Sequence, residues 1–223
     1  METRAFSTLS AKVSASAPSC AYPMLVDYIR DSAIRVCERT LAWRYTATPI
    51  ALTPGRAEYD FAPPPDTTVQ AVVRADINGT PVQVLSYDAA AAMITEWPAT
   101  TTVAAEIAEL GSEPRMIAQV GANRYRVFPM PDAERTYTLS MTFALKPTRS
   151  SADMDQDVFD EFEDAILHGT LQHLLVLPNV DWTDRELAAY HAKQFLFAVT
   201  SARAKTNLGA FRSALVVRGP KFA

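Results

Sequence analysis

Glycine is scarce in this chain, with seven residues among 223 against fifteen prolines. Loops that wrap a phosphate need the backbone freedom that proline removes, so a nucleotide-binding fold is disfavoured. The phosphate-loop pattern, Gly-x-Gly-x-x-Gly, Gly-x-Ser-x-Gly and His-Glu-x-x-His are all missing. Only Cys20 and Cys37 could form a disulfide, and neither stands in a Cys-x-x-Cys or Cys/His cluster, so two reduced thiols are expected. No apolar run approaches the roughly 20 residues of a membrane span. The stretch from Met1 to Cys20 lacks the apolar centre of a secretory signal, and export by that route is not expected. Positive charge is not in excess either: 21 Lys and Arg face 25 Asp and Glu, for a net charge of -4. A global field suited to coating nucleic acid or an anionic membrane is therefore excluded, and any such contact has to be local.

What remains, 48% hydrophobic and 21% charged residues, describes a soluble globular protein of one large or two small domains. Residues 1–21 show no sustained period and read as a flexible N-terminal arm. From Pro23 to about 41, Val26, Ile29, Ala33, Val36 and Thr40 recur at three- and four-residue steps, an amphipathic helix with proline in its first turn. Residues 43–147 are rich in Val, Thr, Tyr and Ile and read as an antiparallel β module. Within it Trp43–Thr46 and Ala57–Phe61 read as a hairpin around Thr53-Pro54-Gly55-Arg56, with Tyr59 and Phe61 on one face. Asn78-Gly79 marks a tight hairpin, Ser86 to Ile94 a short capped helix, and residues 99–113 an acidic excursion of unassigned structure. Tyr137, Leu139, Met141, Phe143 and Leu145 alternate with polar residues, as in a half-buried strand.

After a linker at 150–157, a helix is predicted over 156–177, with an apolar face at Phe159, Phe162, Ile166, Gly169 and Leu174 and acids loading its first turns. Leu177-Pro178 stops it. Thr183-Asp184-Arg185-Glu186 reads as a capping box for a last helix whose stripe is Ala188, Ala192, Phe195, Val199 and Ala202. Complementary stripes at the two ends of the chain predict an α+β fold: a helical bundle of residues 22–42 and 155–206, an inserted antiparallel β module at 43–147, and an extended C-terminal tail at 207–223.

Chemistry is thin. His168 and His173 lie about 140° apart around a helix and cannot share a face as paired metal ligands do. His191 is the one candidate general base, and a partly buried packing role suits it better. No catalytic, cofactor-binding or metal residue is expected. Trp43, Trp97 and Trp182 read as edges of the core. Asp153, Asp155, Asp157, Asp160 and Glu161 lack the glycine and final glutamate of a calcium loop and suit a solvated helix start, or a neighbouring subunit's cations. In the tail, Arg212, Arg218 and Lys221 are interleaved with Phe211, Leu215, Val216 and Val217, a run suited to strand addition or to an apolar groove rather than to phosphate.

One stretch carries more than composition. Phe162-Glu163-Asp164-Ala165-Ile166-Leu167-His168-Gly169-Thr170-Leu171, then Leu174-Leu175-Val176-Leu177-Pro178, Asp181-Trp182-Thr183-Asp184, Ala188-Ala189-Tyr190 and Phe195 resemble the C-terminal helical hairpin of tailed-bacteriophage head-to-tail adaptor proteins. The first helix, Trp43 to Phe61, Val72 to Gly79 and Val127-Phe128-Pro129-Met130-Pro131 follow in that family's order, so the resemblance spans about residues 20–208. It implies a structural virion protein without enzymatic activity or cofactor, made in the host cytoplasm and placed at the head-tail junction. Its partners would be the portal protein, tail or nozzle proteins, genomic DNA passing through a channel without sequence-specific contact, and further copies of itself in a ring of about twelve. No membrane is involved. The resemblance also makes the C-terminal tail the portal-docking segment, and the five acids from Asp153 to Glu161 suit contacts between subunits. The alternatives are another tail-completion or neck protein, or a small enzyme with a site near His191.

Overall fold

The computed structural model describes residues 2–90, 113–121 and 123–208, with the side chains of 205–208 left aside. The chain divides into two compact units, Met1–Ala42 with Ala152–Ala223, and Trp43–Ser151.

In the first unit, strand β1 (Thr3–Ala5) leads into a 3-10 turn (Phe6–Leu9), helix α1 (Ser10–Ser14) and the long helix α2 (Tyr22–Thr40). Strand β11 (Asp153–Asp155) returns antiparallel to β1, with Thr3 opposite Asp155 and Ala5 opposite Asp153. Helices α3 (Gln156–Leu174) and α4 (Arg185–Leu208) complete the unit. Leu25, Ile29, Ala33 and Val36 of α2 are buried, as are Phe159, Ile166 and Leu174 of α3 and Ala188, Phe195, Val199 and Ala202 of α4. The three helices approach closely because Gly169 carries no side chain: beside it, buried Ser32 of α2 donates its hydroxyl to the Ile166 carbonyl at 2.8 Å, and the Phe195 ring of α4 closes the gap.

In the second unit the organising strand is β10 (Tyr137–Pro147), which pairs antiparallel with β2 (Arg44–Thr46), β3 (Ile50–Leu52) and β5 (Thr67–Ile77). Tyr137, Leu139, Met141, Phe143 and Leu145 are all buried. A register shift between Ala144 and Leu145 lets Ala144 join them. Strand β6 (Thr80–Pro81) closes a tight turn on β5, in which Asn78 and Gly79 both take positive φ, 50° and 80°. A four-stranded sheet orders β4 (Glu58–Asp60), β9 (Arg124–Phe128), β8 (Met116–Gln119) and β7 (Gln83–Ser86), and β7 runs parallel to β8. Residues 87–90 are helical, and the continuation read there to Ile94, with Trp97 and the acidic stretch at 99–113 up to residue 112, lies outside the described residues.

Four expectations are corrected. The fold is not a helical bundle with an inserted β module: the chain is sheet-rich, with sheets of two, five and four strands among the described residues. The smallest of them, β1 with β11, lies within the helix-bearing unit. A strand of three residues carries too little alternation to be told from a loop, and its partner lies about 150 residues away, which is why 150–157 reads as a linker. The N-terminal arm is ordered for the same reason. Phe6, Leu9 and Val13 are buried, and Phe6 meets the Phe159 ring at 6.4 Å. The hairpin expected from Trp43 to Phe61 does not form: β2 and β3 pair with β10 whereas β4 joins β9, although the turn itself is present, with the Arg56 amide donating to Thr53 at 3.1 Å. At the start of α4 the capping group is Asp184, which accepts from the Leu187 amide at 2.9 Å, while Thr183 donates to the Val180 carbonyl instead.

Candidate assembly surface

The five acids proposed for contacts between subunits fall at the start of α3, where β11 hands over to the helix. Three are engaged within the chain. Asp153 accepts from the Thr3 hydroxyl at 3.2 Å, Asp155 caps the helix through the Val158 amide at 3.2 Å, and Asp160 pairs with Arg4. Arg4 also reaches Glu163 at 3.1 Å, and Lys12 completes a network that ties the N-terminal segment to α3. Lys12 first, and Arg4 with it, hold the Glu163 carboxyl below the usual carboxylate range. This network was hidden in the sequence, because Arg4 and Lys12 meet α3 only once β1 has paired with β11. Asp157 and Glu161 are exposed, and Asp164 continues their side of the helix.

Helix α4 buries one side and exposes another apolar one. Leu187, Tyr190, Leu196 and Phe197 are exposed, Phe197 to 73%. Leu187, Tyr190 and Phe197 are spaced by three and seven residues, so they line one stripe well away from the buried one. The cationic and apolar tail positions Phe211, Arg212, Leu215, Val216, Val217, Arg218 and Lys221 lie outside the described residues.

The histidines separate as their spacing requires. His168 faces α4, where its Nδ1 lies 2.7 Å from Nδ1 of His191, with Tyr190 edge-on to both rings. His173 faces α2 and accepts through Nε2 from the Arg35 guanidinium. Sequence reasoning paired neither. The signal was available only through topology: His168 lies six residues before the end of α3 and His191 six residues after the start of α4, so folding the hairpin brings them level.

An Nδ1-to-Nδ1 bond works with one proton, one ring donating and the other accepting. Burial chiefly pushes both pKa values down, opposed at His168 by Asp164 and reinforced at His191 by His168. His173 is also lowered, by burial first and then by Arg35. Between the lowered values and the unfolded value of about 6.5, the unfolded chain binds more protons, so stability is present above about pH 6.5 and is lost as the pH falls. The Tm is therefore expected to drop between about pH 7 and about pH 5, and His168→Gln with His191→Gln should flatten that drop. An unchanged slope in calorimetry of the double variant would show that other groups take up the protons.

The SU10 adaptor protein model matches residues 4–218, nearly the whole chain. The chain belongs to the SU10 adaptor protein family. That is a family of phage head-to-tail adaptors, structural proteins of the virion. No curated protein matches the chain. Among the described residues, the Asp157 and Glu161 carboxylates and the apolar stripe of α4 are exposed features of this adaptor. Among the described residues no group of three or more His, Cys, Asp or Glu could hold a metal, and no helix is long and apolar enough to cross a membrane.

Proposed function

We propose that the protein assembles as a homo-oligomeric ring below the portal, extends the DNA channel and offers an attachment surface to tail components. The observation that carries this reading is the family match over residues 4–218. The α4 stripe supplies apolar area for a neighbour, and Asp157 and Glu161 supply charge. Exposed ion pairs contribute only about 0–1 kcal/mol each, but a ring repeats them at every interface. Asp153, Asp155 and Asp160 contribute indirectly, by holding the N-terminal segment and the start of α3. Phe211, Leu215, Val216 and Val217, with Arg212, Arg218 and Lys221, are the portal-docking segment in this reading, by strand addition or groove binding.

The test is electron microscopy of the protein mixed with its portal. A ring stacked on the narrow end of the portal is the expected image. Asp157→Asn with Glu161→Gln should lower the fraction of rings and make assembly less sensitive to salt, whereas a chain truncated after Asn207 should stay folded and lose the portal. Rings that form equally at all salt concentrations in the double variant would reduce the acids to a solvated cap. A truncated chain that still docks but loses affinity for DNA would move the tail to the channel.

A further inference from the structure

Helices α2, α3 and α4 enclose a cleft of about 660 Å³ at the end of the first unit where the α3–α4 corner lies. Its floor is apolar, built from Leu177, Ala188, Ala189 and Ala192, with Val176 and Pro178 at its rim. Its polar groups are Tyr28, Asp31, Arg35, Gln172, His173 and Arg185. The small side chains follow from the stripe of α4: alanines at 188, 189 and 192 leave room that leucines would fill. Among the described residues no side chain fills this space.

The charges in the cleft are unbalanced. Arg35 donates to the neutral imidazole of His173 rather than to a carboxylate. Asp31 lies one turn away on α2, yet no ion pair joins it to Arg35, and Arg185 is exposed without a carboxylate at ion-pair distance among the described residues. Two guanidiniums thus face one acid across an apolar floor. A guanidinium over an apolar surface recognises a carboxylate well, because water competes poorly there. A free inorganic anion would leave the floor unused, and an uncharged hydrocarbon would leave the guanidiniums unused. Val176 and Pro178 are exposed at the rim, so the cleft opens onto the surface, as a docked chain segment needs.

We propose that this cleft is a docking socket for a peptide segment of a partner protein that carries a carboxylate beside bulky apolar side chains. The carboxylate sits between Arg35 and Arg185, and an apolar side chain rests on Ala188, Ala189, Ala192 and Val176. Tyr28 and Gln172 supply further donors at the edge. His173 reports occupancy: an anion beside it favours the imidazolium, which burial first, then Arg35 and Arg39, disfavour and Asp31 favours. The inference is independent of ring formation, since it concerns a concave site at one end of the unit and not the α4 stripe.

The probe is a blocked pentapeptide, Gly-Phe-Glu-Leu-Gly, titrated into the full-length protein and followed by NMR of the histidine side chains, with Gly-Phe-Gln-Leu-Gly as its neutral twin. Saturable shifts of His173 with the glutamate peptide, at least about ten-fold weaker with the glutamine peptide, are expected, since loss of one charge-assisted contact is worth that much. Arg185→Glu, at an exposed position, should weaken binding by a similar factor, and Ala189→Trp should abolish it by filling the floor, both with the wild-type melting curve. Equal binding of the two peptides, no shift with either, or wild-type binding by both variants would overturn the proposal. If the variants instead disrupt self-association and the peptide has no effect on His173, the cleft is a contact between copies, and the proposal is equally overturned. Failure of the full-length protein to bind portal, with peptide binding intact, would count against the proposed portal docking alone.

Discussion

Phe143→Ala is expected to destabilise the protein by about 3–5 kcal/mol, the range for deleting a fully buried aromatic side chain. Phe143 is 0% exposed on β10, in the five-stranded sheet, and its ring stacks on Phe61 with centroids 4.1 Å apart and planes 19° from parallel. Tyr125, on β9 of the four-stranded sheet, meets the same ring at 5.6 Å, and Phe61 in turn meets Tyr45 at 6.2 Å. One side chain therefore joins the cores of both sheets of the second unit, and alanine would leave a cavity flanked by the Phe61 and Tyr125 rings. The surroundings have little means to collapse into it. Tyr125 is itself fully buried, its hydroxyl has no partner among the described residues, and burial pushes that hydroxyl's pKa up to about 12. Urea unfolding followed by fluorescence measures the loss. A cost under about 1 kcal/mol would mean that the cluster contributes shape but little stability.

Gly169→Ala is expected to cost about 1–3 kcal/mol, although alanine in place of glycine normally favours a helix by about 1 kcal/mol. The reason is space. A Cβ at position 169 would lie 2.2 Å from the Ser32 hydroxyl oxygen and 2.9 Å from a ring carbon of Phe195, both on helices packed against α3. Ser32 is 1% exposed and bonded to the Ile166 carbonyl, so it cannot swing away without leaving a buried polar atom unsatisfied. Adding Ser32→Ala removes the closer clash, and the double variant should be more stable than the two single losses added together, by at least about 0.5 kcal/mol. Strict additivity in the double-mutant cycle would place the strain at Phe195 alone. A gain in stability for Gly169→Ala would show that α2 and α4 do not hold α3 at this spacing.

What the sequence determined by itself were the features whose causes are local. The stripe from Ile29 to Val36, the alternation from Tyr137 to Leu145 and the turn at Asn78-Gly79 each rest on the period or backbone preference of neighbouring residues, and the structure has α2, β10 and the β5–β6 turn at those places. The separation of His168 from His173 was equally legible, since it needs only the helical repeat. The order of elements also carried the family resemblance, which the match over 4–218 bears out. Pairing partners were not legible. Whether β4 turns back on β3 or crosses to β9, and whether 153–155 is a linker or a strand, depends on which distant backbone offers free N–H and C=O groups, and three residues hold too little pattern to say. Tertiary structure alone therefore decided that the N-terminal segment is clamped to α3 by Arg4 and Lys12, that three of the five acids are spent inside the protomer, and that His168 meets His191. Each of these contacts joins residues far apart in the chain. Their energies depend on distance and burial in the folded protein, neither of which a linear pattern contains.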